Sequence, residues 1–509
     1  MTSQTRRHPM LASFVKGIAF TTLLLLGAQA QEVEQPPFDV GSRLQLLLDR
    51  EVVGSMQGVE LRMHTPVEQP RPKSYFSGNY ATVIKDGDLF RAYYRGNDPT
   101  YKGKSFSGHP GEITCYAESR DGIEWTLPKL GLFEVNGTRE NNVILAHQPP
   151  LSTNFAPFLD TRPGVPAAER FKALAGHPGY DRKVKADGLF ALVSADGIHW
   201  KKMQETNVIP YDPAWSHAFD SQNVSFWSEA ERQYVCYFRT WAPYRGKAVT
   251  GTNDEAESQE AGHKGTLRSI SRTTSPDFRN WSKPVAMHPN LPGEHLYTSQ
   301  TAPYFRAPHL YIALPTRYTA GKVGSEKAIS MLGSTDILLM TTRAGSNQYD
   351  RLFTEAFIRP GLDAERWESR ANYVAYNILP TSDREISIYH GKSGHRYTLR
   401  TDGFVSARAG AKKGELLTRV LTFTGSELVL NLSTSAAGFM RVELQDATGV
   451  PIPGLTLTDG PEIVGDTIEH IVRWQKPDAL RELAGKQVRL RFVMQEADLF
   501  SFQFREPQH

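Results

Sequence analysis

Three carboxylates in this chain of 509 residues stand where acid–base chemistry could be built. Asp220 lies in the stretch His217-Ala-Phe-Asp-Ser-Gln-Asn223, and Glu294 in Glu294-His-Leu-Tyr-Thr-Ser-Gln300. Glu112 heads the β-type run Ile113-Thr-Cys-Tyr-Ala117. Cleaving a glycosidic bond needs one carboxyl that keeps its proton and another that is ionised, and packing two in one cleft separates their pKa values. Arg95, Arg239 and Arg317 each follow a β-type run ending in Tyr93-Tyr, Tyr237-Phe and Pro315-Thr. A guanidinium is a rigid fork suited to a carboxylate or sulfate. The alternative is that each arginine pairs with Asp220, Glu294 or Glu112. Asn154, His217, His295 and Tyr297 fall in the segments leading to these runs and are candidate substrate contacts. Tyr101, Phe106, Trp241, Tyr244 and Tyr297 offer rings that could stack on sugar faces. There is no His-Glu-x-x-His, no paired-cysteine motif and no glycine-rich phosphate loop, so the expectation is no metal and no cofactor.

The elements that must position these residues announce themselves by repetition. Ser119-Arg-Asp-Gly-Ile-Glu-Trp125, Ser194-Ala-Asp-Gly-Ile-His-Trp200 and Ser275-Pro-Asp-Phe-Arg-Asn-Trp281 share the pattern Ser-x-Asp-x-x-x-Trp. Aspartate can accept bonds from the amides that follow it, and the tryptophan suits packing between neighbouring sheets. Each copy joins two β-type runs, and reading outward gives units of four short strands. The first starts at Tyr80, the second at Asn154, the third at Asn223, the fourth at Thr301 and the fifth at Tyr373, its last strand expected from the Leu44–Met63 region. Short, evenly spaced strands without helical periodicity predict a five-bladed β-propeller over residues 31–401. Arg317 is expected to close the second strand of the fourth blade, as Arg95 and Arg239 close theirs.

Within such units Asp86, Asp88, Asp121, Asp160, Asp196 and Asp277 fall in turns on the face away from the channel mouth, and their expected role is structural. Asp220, Glu294 and Glu112 fall on the mouth face, together with two long loops, Gly96–Gly111 and Thr240–Gly265. After about residue 402 the turn signature stops. Alternating runs at Leu416–Phe423, Glu427–Leu432, Met440–Leu444, Ile468–Trp474, Val488–Val493 and Phe500–Phe504 predict a jelly-roll-like β-sandwich over 402–509.

The N-terminus reads as an address. Arg6, Arg7 and Lys16 precede the apolar run Gly17–Gly27, and Ala28-Gln-Ala30 offers a cleavage site, so residues 1–30 are expected to be a signal peptide and the mature chain secreted or periplasmic. No stable membrane insertion is expected after cleavage. The net charge of +3 is spread through the sequence, which speaks against a nucleic-acid partner. The two cysteines, Cys115 and Cys236, fall in strands of non-adjacent units and read as packed thiols.

The five-unit propeller, the Ser-x-Asp-x-x-x-Trp turns and the trailing sandwich resemble glycoside hydrolase families 32, 43 and 68. Asn154-Phe-Ala-Pro-Phe-Leu-Asp160, Phe219-Asp-Ser-Gln-Asn-Val224 and Glu294-His-Leu-Tyr297 are similar to segments of hydrolase-like propellers from environmental bacteria. The families' first-strand acid has no counterpart in Ser74-Tyr-Phe-Ser-Gly-Asn-Tyr80, and Asn154-Phe-Ala-Pro stands in place of their Arg-Asp-Pro. Asp220 falls where the third-blade acid is expected. The resemblance implies a secreted hydrolase acting on a polysaccharide or oligosaccharide, acidic or sulfated, through Asp220, Glu294 and Glu112. The alternatives are a carbohydrate-binding propeller without catalysis and, from the Asp turns and arginines, a sialidase-like hydrolase.

Overall fold

The computed structural model describes residues 36–177, 188–212, 218–243, 266–320, 333–368, 370–476 and 479–507. The expected signal peptide, residues 1–30, lies outside the described residues. Residues Pro37–His509 cluster as a unit of their own. Its described residues are nearly all β, with one short α-helix, Ala479–Glu482.

The first sheet orders Asn79–Asp86, Leu89–Asn97, Glu112–Ser119 and Val143–Leu145 antiparallel, each beside the next. The second runs Ala156–Leu159, Phe171–His177, Gly188–Ser194 and Lys201–Lys202, with Ile209–Pro210 added to its third strand. The third runs Val224–Ser228, Gln233–Pro243, Thr266–Ser275 and Val285–Ala286.

The fourth unit departs from the expectation. It is two three-stranded sheets: Ala302–Tyr304, Ala307–Ala313 and Met340–Arg343 in one, and His295–Leu296, Thr316–Ala320 and Gly333–Ile337 in the other. Arg317 therefore does not close the second strand. Pro315, which has no amide hydrogen to give to a ladder, lies between Ala313 and Thr316, where the chain passes from one sheet to the other.

The fifth sheet runs Leu379–Pro380, Glu385–Tyr389 and Arg396–Arg400 and is completed by Val67–Glu68. An N-terminal strand does fill the last place, but it comes after Met63. The Leu44–Met63 region goes elsewhere. Gln45–Leu46, Val53–Gln57 and Val59–Met63, with Phe38–Gly41, pair with C-terminal strands in one ten-stranded sheet. Two long strands, Glu427–Asp446 and Val488–Arg505, pair along most of their length and bend at bulges between Asn431 and Leu432 and between Thr434 and Phe439. The expected runs at 427–432 and 440–444, and at 488–493 and 500–504, are halves of these strands. Their apolar side chains, with Val40, Leu47 and Trp474, enclose one core.

Hydrophobic clusters join the sheets in a cycle. Tyr93, Phe155 and Phe171 join first to second; Phe158, Tyr234 and Phe278 join second to third; Phe226, Tyr237 and Tyr311 join third to fourth. Leu310, Ile312, Ile386 and Ile388 join fourth to fifth, and Phe76, Trp125 and Tyr389 join fifth back to first. Trp125 meets Phe76 edge-on at 4.9 Å and Trp200 meets Phe155 at 4.9 Å, so these two of the repeated tryptophans sit between sheets, while Trp281 packs on Phe278 of its own turn.

The repeated aspartates are turn builders. Asp121 Oδ1 accepts from the amides of Ile123 and Glu124, Asp196 Oδ1 from Ile198 and His199, and Asp277 Oδ1 from Arg279 and Asn280. Burial works against the charged form of Asp277, but these bonds prevail and lower it to about 2. Phe278 adopts a left-handed φ of 64° where the other copies have Gly122 and Gly197. Its ring is buried against Phe158 and Tyr234, contacts that offset the strain. Cys115 and Cys236 are free and buried, and burial pushes the Cys115 thiol up to about 12.

Lys172, fully buried, sits 2.9 Å from Asp160 and 3.2 Å from Glu169, and Tyr234 donates to Asp160 at 2.6 Å. Lys172→Met leaves Asp160 buried without its cation and should destabilise the fold by ~3–5 kcal/mol. Urea unfolding checks this, and adding Asp160→Asn should recover much of the loss. A single variant as stable as the parent would disprove it.

Candidate functional site

Backbone conformation sets the site. Tyr80 (φ 50°), Asn154 (φ 55°), Gln300 (φ 48°) and Asn377 (φ 82°) are left-handed residues at or just before the first strand of the first, second, fourth and fifth units. Phe219 (φ 69°) turns the chain ahead of the third. Such φ values are uncommon for residues other than glycine. Buried side-chain amides hold these entries together. Gln222 donates to Ala81 O and Thr82 Oγ1, Gln300 donates to Gln222 Oε1 and Val374 O, and Asn377 donates to Val83 O. Asn154 and Asn223 both donate to Phe219 O. Asn154, a candidate substrate contact, is thus a strap on the turn that carries Asp220.

The three candidate acids sit in different surroundings. Asp220 lies 2.9 Å from Arg239 Nη2, accepts from Ser107 Oγ at 3.4 Å, and keeps 30% of its side chain exposed. Glu112 is buried; its Oε2 accepts from the Gly108 amide and from Thr153 Oγ1, and its Oε1 lies 3.7 Å from Arg95. Ser107 and Gly108 place the loop between these two carboxylates. Glu294 has 0% side-chain exposure; Arg351 grips both its oxygens, Leu291 donates an amide to it, and Arg317 Nη1 stands 3.8 Å away. The oxygens of Glu294 are committed within the protein.

The three expected arginines therefore each meet an acid, which is the alternative raised by their spacing. Arg317 is drawn mainly to Asp336, at 2.6 and 2.9 Å, and donates to Thr354 O. Arg95 and Arg239 reach the site's aromatic floor. Arg95 lies 4.7 Å above the Tyr80 ring and Arg239 lies 5.7 Å from that of Tyr297.

That floor is a buried cluster of Tyr80, Tyr297, Tyr318 and Tyr373. Tyr80 stacks on Tyr373 at 5.5 Å, and Tyr297 meets Tyr318 edge-on at 5.5 Å. Burial, and next the nearby Asp220, push the Tyr80 phenol up; burial does the same to Tyr373. Of these four rings sequence reasoning singled out Tyr297 alone, and it missed Arg268 and Arg370 beside them. Arg268 lies 4.4 Å over Tyr297 and 4.6 Å over Trp241, and Arg370 interacts with Tyr297, Tyr373 and Tyr80. A signal was present for Arg268: with Trp241 it brackets the long loop after Thr240, and the two are cross-strand partners.

His295 is buried behind the floor, and its Nδ1 accepts from the Arg268 amide at 3.1 Å. Burial first, then Arg268 and Arg239, lower its pKa to about 3. His217 and Tyr244 lie outside the described residues. Tyr101 and Phe106 contact His109 within their own loop, Tyr101 stacked on it at 4.7 Å. Among the described residues no group of three or more His, Cys, Asp or Glu is placed to hold a metal ion. Also among them, no helix is long and apolar enough to cross a membrane.

Burial also lowers His390 to about 3 and His309 to about 4. In the unfolded chain these imidazoles take protons near pH 6.5. Between that pH and their folded values the unfolded state binds more protons, so stability is present above 6.5 and is lost as the pH falls, by ~1.4 kcal/mol per unit for each group. The urea midpoint should therefore drop steadily from pH 7 to pH 4.5. A midpoint unchanged over that range would contradict the burial of these rings.

No protein-family model matches the chain, and no curated protein matches it. Solved structures do. An N-acetylgalactosamine deacetylase from F. plautii in complex with blood group B trisaccharide is 12% identical, covering 86% of this chain and 95% of its own, with a TM-score of 0.39. A structure from work on the GH130 family of mannoside phosphorylases, containing glycoside hydrolases that target β-1,2 mannosidic linkages in Candida mannan, is 12% identical, covering 70% and 97%, at 0.38. A glycosyl hydrolase from Bacteroides ovatus is 11% identical, covering 70% and 99%, at 0.37. The structural neighbours thus include glycoside hydrolases and other carbohydrate-active proteins at low identity. These likenesses transfer no site residue and no chemistry to the chain.

Proposed function

We propose that this protein is a secreted glycoside hydrolase whose site lies on the axis of a five-bladed β-propeller. The cyclic packing of five sheet units supports the propeller. The observation that carries the function is the placing of Asp220: of the three candidate acids it alone keeps substantial exposure, 30% of its side chain against 6% for Glu112 and 0% for Glu294. It stands beside a buried cluster of four tyrosines that fixes the ground under it. Asp220 takes the role that exchanges a proton with the reacting atoms. Glu112, across the Ser107–Gly108 loop, is its paired carboxyl, and Glu294 positions the arginines around it. Residues 1–30 direct export, with the mature chain starting near Gln31. A glycan-panel hydrolysis assay on the mature protein tests the activity, and sequencing the N-terminus of exported protein tests the cleavage.

A second reading, glycan binding without catalysis, is favoured by one feature. Each candidate acid is ion-paired to arginine, so proton transfer requires a guanidinium to give ground. Binding without turnover across the panel would establish it. The sialidase-like alternative is weakened at Tyr80 and Tyr373, where burial disfavours the phenolate a tyrosine nucleophile would need.

A further inference from the structure

Arg268 is a buried cation for which no carboxylate partner is found among the described residues. It is 7% exposed, and Arg239, Arg317, Arg95 and Arg351 all have acids where it has none. Its Nη1 lies 3.4 Å from His295 Nδ1, an atom already accepting from the Arg268 amide. Its Nε is buried without a hydrogen-bond partner. Rings of Trp241 and Tyr297 flank the guanidinium at 4.6 and 4.4 Å, with Tyr318 at 5.7 Å. His295 brings no negative charge, being neutral above about pH 3.

Other cations crowd the same place. Arg239 shares the Tyr297 ring with Arg268, and Arg370 interacts with it too. Asp220 answers the charge of Arg239, and Arg370 is exposed to solvent. Arg268 and Arg239 are both buried, like charges repel, and a buried donor left unsatisfied is costly, so an anion supplied from outside would offset both costs. A planar guanidinium held between rings is organised in advance to bind an oxyanion through paired hydrogen bonds.

We infer that Arg268, with Arg239, receives an oxyanion carried by the glycan, a carboxylate or a sulfate ester on the sugar bound beside Asp220. This rests on the reading of the site as a glycan site. It also moves the anion contact away from Arg317, which Asp336 engages at 2.6 Å.

The test is calorimetric binding in an Asp220→Asn background, which prevents turnover. The probes are oligogalacturonides with their carboxyl-reduced forms, and a sulfated oligosaccharide with its desulfated form. The parent should bind one anionic probe ~10–100-fold more tightly than its neutral counterpart, the range of charge-assisted hydrogen bonds. Arg268→Met should erase that preference, weakening anionic binding more than neutral binding, while Arg268→Lys should keep part of it. Preference for the uronide assigns the carboxylate, and preference for the sulfated probe assigns the sulfate. Equal binding of anionic and neutral probes by the parent, or an equal loss of both in a folded Arg268 variant, overturns the inference and leaves the glycan site standing. Failure of every probe to bind overturns both. Circular dichroism melting reports folding, and if Arg268→Met does not fold, Arg268→Lys decides: full preference kept in a folded lysine variant shows a point charge and overturns the fork.

Discussion

Asp220→Asn is expected to lower glycan hydrolysis by about a hundred- to ten-thousand-fold, the contribution of a positioned acid or base. Asparagine nearly matches aspartate in shape and keeps an acceptor oxygen for Arg239, but it cannot exchange a proton. The turn that carries the residue should survive. Phe219 donates its amide to Arg239 O and accepts from Asn154 and Asn223 through its own carbonyl, and none of these bonds uses the Asp220 side chain. Arg239 is only 3% exposed, so some stability will be lost, but water reaches the carboxylate side of the pair. The measurement is kcat/KM on whichever glycan the panel identifies, with a urea midpoint beside it. Undiminished turnover in a folded variant would remove Asp220 from the mechanism. Lost turnover with binding retained is the expected pattern.

Glu294→Gln is expected to act on the fold. The substitution removes the negative charge that Arg351 grips at both oxygens and that Arg317 faces at 3.8 Å. Arg317 retains Asp336, whereas among the described residues Arg351 has no carboxylate besides Glu294. Breaking a buried pair from one side costs ~3–5 kcal/mol because the remaining charge stays desolvated. That is a large part of the ~5–15 kcal/mol that keeps a domain folded. A clear fall in urea midpoint should accompany any fall in activity, and Glu294→Asp, which keeps the charge, should lose less. A Gln variant that melts with the parent yet hydrolyses nothing would return Glu294 to the chemistry. The contrast with Asp220→Asn separates the two residues that sequence reasoning had treated alike.

The Ser-x-Asp-x-x-x-Trp turns were legible because they are local. Asp121, Asp196 and Asp277 bond to amides two and three residues further on, so their pattern carries its own geometry. The third copy was recognisable although Phe278 replaces glycine, since its strain is met by packing from another sheet. The fourth unit was misread because a β-type run does not say which neighbour it will pair with. Ile337 and Met340 belong to one apolar run, yet they pair in different sheets.

From the sequence alone came the β class, the repeated turns with their tryptophans, the buried unpaired cysteines and the set of acids and arginines worth examining. Each follows from short-range periodicity or from turn bonds that close within a few residues. Tertiary structure alone decided which acid stays open, that Arg268 meets no acid among the described residues, and which tyrosines meet. Glu294 and Arg351, and Tyr80 and Tyr373, come from distant parts of the chain, and burial depends on everything packed around them. Charge, desolvation and ring stacking act through space over a few ångströms, and residue spacing along a strand does not encode which distant strand will supply the partner.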